Sequence, residues 1–205
     1  MKVNFGHSLK QKDRLRILLD VYGGAITTAQ AQEHGIHRQT LSLLMQEGLI
    51  TRIGHGIYCD SAGVEDELMA LQARRQRIVY SHTTALYLHE LTDRDPSVFD
   101  VTVPVGYNSA VLRGEGVHVY TTKREWHELG VMKISTIFGN TVRAYDRERT
   151  ICDIYRDRNN QDPAVLVDAL KAYMRLPDAD HHRLMEYATI LRIDRILRPY
   201  LEVLL

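Results

Sequence analysis

Apolar positions in the first sixty residues fall into short periodic runs separated by glycines. Leu9, Leu15, Leu18, Leu19 and Tyr22 recur at helical spacing, with Lys10, Lys12, Arg14 and Arg16 around the other faces. This predicts an amphipathic helix from about Ser8 that ends at Gly23-Gly24. Ala25-Ile26 reads as a short strand. Thr27 and Gln30 stand in capping-box spacing at the start of a short helix that reaches about His34. Gly35 takes the left-handed turn that stops it, and Ile36 fills the crease before a third helix, from about His37 to Glu47. There Leu41, Leu44 and Met45 give one apolar stripe, while Arg38, Gln39, Ser42 and Gln46 share another face. Gly48 ends this helix. Leu49 to Ile53 and Ile57 to Cys59 then read as two short strands around Gly54-His55-Gly56.

Beyond residue 60 the pattern is mixed. Asp60-Ser61-Ala62-Gly63 is a polar turn, read as a linker between residues 1–60 and residues 61–205. Glu65 to about Ile78 is helical in pattern and carries the basic cluster Arg74, Arg75 and Arg77. Val79 to His82 is extended, and Thr83 to Leu88 is helical, with Ser81 or Thr83 as its cap. Phe99 to Val103 and Val117 to Tyr120 alternate as strands, and Arg124 to Leu129 makes one helical turn. Val131 to Phe138 and Thr141 to Tyr145 form a hairpin about a two-residue turn, Gly139-Asn140. Asp146 caps a helix whose Ile151 and Ile154 point inward. Asp162-Pro163 opens another that runs through Met174. After Pro177-Asp178, helices reach about Ile193 and then span Leu197 to Leu205. The expected fold is α+β: an N-terminal winged helix-turn-helix, then a mixed α/β domain ending in helices.

Helix, short helix, glycine turn, helix and β-hairpin is the order of a winged helix, and its chemistry is that of duplex recognition. A recognition helix presents its N-terminal side chains to base edges in the major groove. Arg38 has the fork for guanine and Gln39 the amide for adenine. Thr40 and Ser42 suit phosphate or base contacts. His37 stands where Ser or Thr would cap better; it either contacts DNA or is a tolerated poor cap. Lys10, Lys12, Thr28, Arg52 and His55 complete the candidate DNA-binding set. The competing reading is a winged helix used as a protein-interaction module.

Charge favours the first reading only mildly. Residues 1–60 hold seven Lys/Arg and five Asp/Glu, a net +2, and the remainder carries −2. The whole chain balances 26 basic against 26 acidic residues, which excludes a polybasic coat protein or an acidic tail but not a local patch. Two cysteines, Cys59 and Cys152, cannot build a disulfide framework and point to a reducing compartment. No window approaches the roughly 18 apolar residues of a membrane span, and the N-terminus lacks a signal-peptide core. A cytoplasmic protein with no membrane partner is expected.

Four motifs resemble one family in order and spacing. They are the winged helix ending in Gly54-His55-Gly56-Ile57-Tyr58; Ser81-His82-Thr83-Thr84-Ala85-Leu86 with the Leu91-Thr92-Asp93-Arg94 turn; Val101-Thr102-Val103-Pro104-Val105-Gly106-Tyr107; and Asp146-Arg147-Glu148-Arg149-Thr150-Ile151-Cys152-Asp153. Together, over residues 10 to 175, they look like the AbiEi antitoxins of abortive-infection systems. The resemblance implies a type IV antitoxin that binds inverted repeats in its own promoter as a repressor. It also implies that the C-terminal part counters a nucleotidyltransferase toxin of the AbiEii type. Where the family's wing commonly carries Arg, this chain has His55, and where the family caps the recognition helix with Ser or Thr, it has His37. The alternative is a stand-alone winged-helix regulator whose second domain senses or binds something else.

An enzyme is not expected. A nucleotidyltransferase needs Gly-Ser beside paired metal-binding carboxylates, and Asp93-Arg94-Asp95 lies in a turn. A Walker A loop is absent. Zinc would need grouped Cys and His ligands, whereas Cys59 and Cys152 stand apart and His181-His182 diverge on a helix. No cofactor is therefore expected. Cys152, in an Ile-Cys-Asp-Ile setting, reads as a buried small apolar residue. Arg74, Arg75, Arg77, Arg147 and Arg149 are the candidate partner-binding residues. For the last two the structural reading is preferred, in which Asp146 caps and the arginines pair with carboxylates such as Asp153. Ser81-His82 reads as a cap with a hydrogen-bonded histidine.

Overall fold

The computed structural model describes residues 10–61 and 66–204. The expected helix start at Ser8, the linker residues Ala62 and Gly63 and the expected helix start at Glu65 lie outside the described residues. The chain divides into two compact units, residues 1–77 with 134–142, and residues 78–133 with 143–205.

In the first unit, helix α1 (Gln11–Val21) buries Leu15, Leu18 and Leu19. Gly23 and Gly24 end it with φ of +77° and +98°. Gly24 is required for a second reason: a Cβ there would stand 2.1 Å from Asn140 Oδ1. Strand β1 (Ala25–Thr27) leads into helix α2 (Thr28–Glu33) through the capping box. The Thr27 N–H donates to Gln30 Oε1 at 2.8 Å, and the Gln30 N–H donates to Thr27 Oγ1 at 3.2 Å. Gly35, at φ +78°, turns the chain toward helix α3 (Arg38–Gln46). Strands β2 (Ile50–Gly54) and β3 (Ile57–Asp60) follow, and all pairs in the three-stranded sheet β1-β3-β2 are antiparallel. Leu15, Leu18, Leu19, Ile26, Ile36, Leu41, Leu44 and Ile50 form the core. Each such burial contributes roughly 1.5–3 kcal/mol relative to exposure.

Met45 does not join that core. It is 38% exposed, because a position about 100° round the helix from Leu44 clears the contact. Helix α4 (Glu67–Arg74) packs on β1 and β2 and buries Leu68, Met69 and Leu71. Asp66 caps it, accepting from the Met69 N–H at 2.9 Å, from Asn140 Nδ2 at 2.9 Å and from Thr136 Oγ1. The unit therefore continues past residue 60, where the sequence placed the boundary, and takes in α4.

The second unit is built on β4 (Val79–Tyr80), β5 (Asp100–Pro104) and β6 (His118–Thr122), in a five-stranded sheet with β7 (Val131–Ser135) and β8 (Thr141–Tyr145). The order is β6-β5-β4-β8-β7. Strand β5 runs antiparallel to β4 and parallel to β6, and β4 runs parallel to β8. The β7–β8 connection is Thr136 to Asn140, wider than the two-residue turn expected. Its closure is Thr136 N–H to Asn140 O at 2.8 Å, with Gly139 N–H to Thr136 O at 2.9 Å inside it. Residues 134–142, the tip of this hairpin, count with the first unit.

Helices α5 (His82–Leu88), α6 (Ala110–Gly114) and α7 (Arg124–His127) punctuate the strands. Helices α8 (Arg147–Arg156), α9 (Pro163–Met174), α10 (His181–Ile190) and α11 (Asp194–Leu204) end the chain. Helix α8 is central, with α5, α9, α10 and α11 all packed on it. Ile151, Cys152, Ile154 and Tyr155 face a core that includes Leu86, Leu170, Leu184 and Leu197. Asp146 caps α8 through the Arg149 N–H at 2.8 Å, and Asp162 caps α9 with Pro163 at the first helical position. The fold is α+β, as the sequence indicates.

Candidate nucleic-acid interface

Helix α3 has two faces. Leu41 and Leu44 hold it to the core. Arg38, Gln39 and Ser42 are exposed, and Ser42 lies one turn beyond Arg38 on the same side. Thr40 departs from the expected set. It is half-buried, and its two-residue offset from both Arg38 and Ser42 turns it about 200° away from them. His37 is the N-cap in extended conformation, and its side chain makes no capping bond. Among the described residues no side chain caps the first N–H groups of α3, a surface that favours an anion. Leu43, 54% exposed, and Met45 were not anticipated as surface residues. Their chemistry suits contact with a thymine methyl. An apolar residue beyond the width of the core stripe was the one signal that could have marked them.

The wing is held by its own side chains. Arg52 Nε donates to Gly54 O at 3.0 Å and Nη2 donates to His55 Nδ1 at 3.1 Å, so the two expected wing residues are brought together. Thr28 is placed differently from the expectation of a DNA contact. Its N–H donates to Gly56 O at 2.8 Å and its Oγ1 donates to the same carbonyl at 3.2 Å. It ties the start of α2 to the wing turn. Lys10 and Lys12 are exposed at the start of α1.

Arg74, read from sequence as a partner-binding residue, sits with the wing. A Cβ on Gly54 would stand 3.2 Å from Arg74 Cγ, so the aliphatic stem lies against the end of β2. Arg74 itself is exposed. Arg75 and Arg77 hold contacts of their own, including Arg75 Nη1 to the Arg74 carbonyl at 3.4 Å.

Two further partner-binding candidates turn out to be internal links. Arg147 donates from Nη1 and Nη2 to Asp178 at 3.0 and 2.7 Å. Arg149 is 1% exposed. Its Nε donates to both Asp153 oxygens at 3.1 Å, and its Nη1 donates to the Trp126 and Leu129 carbonyls at 2.6 and 3.0 Å. Burial opposes its charge, yet Asp153 and Tyr145 beside it leave its pKa above the usual value. A partner protein cannot take up its Nε or Nη1 without displacing these internal bonds.

Both cysteines are buried and free. Burial, helped by Asp60, pushes the Cys59 thiol up to about 11. Burial raises Cys152 well above the ordinary range, and its Sγ points to the Leu184 carbonyl at 3.7 Å. Neither environment makes a thiolate nucleophile. Among the described residues, no group of three or more His, Cys, Asp and Glu side chains converges as a metal site. No described helix is long and apolar enough to cross a membrane.

Comparison with known proteins adds three findings. The crystal structure of the RV2827C protein from Mycobacterium tuberculosis is similar, with a TM-score of 0.50 at 15% sequence identity. The match covers 87% of this chain and 71% of that one, and it is a likeness of fold. No curated protein matches the chain. The family model described as "Transcriptional regulator, AbiEi antitoxin" matches residues 13–59. That span runs from α1 through β3 and contains the exposed α3 face and the wing. Over the segment that carries the winged helix, the chain thus matches the AbiEi antitoxin family of transcriptional regulators, the family its four motifs resemble.

Proposed function

We propose that this protein is the antitoxin of a type IV toxin-antitoxin pair. In this reading it binds inverted repeats in its own promoter through α3 and the wing, represses that promoter, and counters a nucleotidyltransferase toxin through its second unit. The observation that carries the DNA half is the exposed row Arg38, Gln39 and Ser42 on a helix anchored from behind by Leu41 and Leu44, within the segment that matches the regulator family. Arg38 takes a guanine edge and Gln39 an adenine edge, while Lys10, Lys12, Arg52, His55 and Arg74 meet phosphates. His37 stands beside the open helix N-terminus. Thr28 positions the wing rather than touching DNA, and Thr40 stays off the reading face.

The antitoxic half rests on the family match alone and assigns no residue. A gel-shift titration of the full chain on its own upstream region tests the first half, with a retarded complex that salt dissolves as the expected result. Co-expression of toxin and antitoxin from unrelated promoters tests the second. An Arg38→Ala, Gln39→Ala chain is expected to lose the shift yet still restore growth. Failure to restore growth would place protection in DNA binding instead.

A further inference from the structure

The second unit holds a polar pocket that the regulatory reading does not use. It measures about 180 Å³, and its lining includes His82, Tyr120, Thr122, Arg149, Asp153, Arg156 and Asp157. Hydrogen-bonding capacity in this lining is lopsided. Both carboxylates are engaged. Asp153 accepts from Arg149 Nε on each oxygen. Asp157 accepts from Tyr120 OH at 3.1 Å, Gln161 Nε2 at 2.8 Å and Asn160 Nδ2 at 2.7 Å.

Several donors, by contrast, are unclaimed. Arg149 uses Nε and Nη1 internally, and among the described residues nothing takes Nη2. Arg156 has no ion pair or hydrogen bond among them, and its guanidinium lies 5.0 Å from the Trp126 ring centre. Thr122 is 7% exposed, on the same face of β6 as Tyr120, and its buried Oγ1 has no partner among the described residues. A native protein rarely leaves such a hydroxyl unpaired without a reason.

His82 completes the set. Its backbone sits at φ +47°, a strained setting for a residue with a side chain. Its ring is stacked on Tyr120 at 3.4 Å between centres. Thr102 Oγ1 donates to Ser81 Oγ at 2.8 Å, and Ser81 Oγ lies 3.0 Å from His82 Nδ1. In the tautomer in which Nδ1 accepts from the Ser81 hydroxyl, the ring proton stands on Nε2.

We propose that this pocket binds a small, singly charged oxyanion, the carboxylate of a small molecule, held by Arg156, Arg149 Nη2, His82 Nε2 and Thr122 Oγ1. The unclaimed capacity is donor capacity, so the ligand must bring acceptors. Two arginines balance two aspartates in the lining, so a single added charge is accommodated better than a double one. Arg156 is the lining cation without a carboxylate in contact and takes that charge.

Acetate is the probe, titrated into the full chain at constant ionic strength with chloride as counter-salt and followed by amide spectra. Saturable shifts confined to residues around the pocket are expected, at least tenfold weaker for Arg156→Gln and for Thr122→Val. The valine chain, relieved of an unpaired hydroxyl, is expected to melt no lower than wild type, which separates lost binding from lost folding. Acetamide, the uncharged analogue, is expected to bind at least tenfold more weakly than acetate. No saturable shift, an unchanged Arg156→Gln titration, or equal binding of acetate and acetamide would each overturn the proposal. None of these outcomes depends on whether the protein binds DNA.

Discussion

Gly24 shows how a single residue can carry two constraints, only one of them readable in sequence. Its role in ending α1 follows from the Gly-Gly pair. Its contact with Asn140, more than a hundred positions along the chain, does not. Gly35 makes the control: it also has positive φ, but nothing lies within 4 Å of a Cβ built there. A left-handed backbone costs a residue with a side chain roughly 1–2 kcal/mol, so Gly35→Ala should lose about that much. Gly24→Ala should lose more, because Asn140 must move and surrender its bond to Asp66. Urea unfolding of the two variants measures the difference, and equal losses would refute the close approach. Local chemistry at other single residues was legible: the Thr27–Gln30 box, Asp146 and the Asp162-Pro163 start are satisfied within a few positions. The tie from Thr28 to the wing was not legible, because the Gly56 carbonyl it bonds is 28 residues away.

Among the elements, α8 decides most. Four ionisable residues stand at positions 146–149, its cap and first turn, and eight of its ten residues are buried, with Asp146 capping and Arg149 paired to Asp153 as the preferred reading of the sequence had it. Arg149 and Asp153, four apart, satisfy each other inside the second unit. Removing one partner of a buried pair leaves an uncompensated charge and typically costs about 3–5 kcal/mol. Arg149→Met is therefore expected to destabilise the protein by that order, and Arg149→Met with Asp153→Leu by less than the sum of the single changes. A double-mutant cycle by chemical denaturation is the check; additive losses would mean that the pair is not coupled. Periodicity found the helices and strands whose apolar residues repeat on one side. It did not find α6, a single turn with one buried apolar residue, Leu112, nor the true width of the 136–140 turn, where Ile137 and Phe138 continue the β-like pattern but stand exposed.

Across the whole molecule, the division into two units follows packing rather than composition. The charge change and polar turn near residue 60 marked a boundary, but α4 packs on the first unit's sheet, and that assignment depends on tertiary contacts no local pattern encodes. The second unit also sets an expected pH response. Burial, outweighing Asp153 and Asp100 nearby, holds His82 below the usual histidine pKa, and burial does the same for His89 against its bond to the Tyr145 carbonyl. Unfolded histidine titrates near 6.5. Below that value the unfolded chain binds protons that the folded chain refuses, so this stability is complete above about pH 6.5 and is lost as pH falls. Glu128 and Asp157, whose pKa values are lowered despite burial by Arg143 and His127 and by Asn160 and Gln161 respectively, lose their contributions only below the carboxylate range. Unfolding free energy should therefore be lower at pH 5.5 than at pH 7.5, with a shallower slope for His89→Gln. A flat or inverted profile between those values would contradict this.

The central claim is that the α3 face reads DNA sequence, and paired binding isotherms test it most directly. Full-length protein and its Arg38→Ala variant are titrated, at one fixed salt concentration, into the protein's own upstream duplex and into a scrambled duplex of equal length. Wild type should prefer its own upstream duplex, and the variant should lose about 1–3 kcal/mol of that preference while binding the scrambled duplex as before. Equal wild-type affinity for both duplexes, or a preference that survives Arg38→Ala unchanged, would contradict the account.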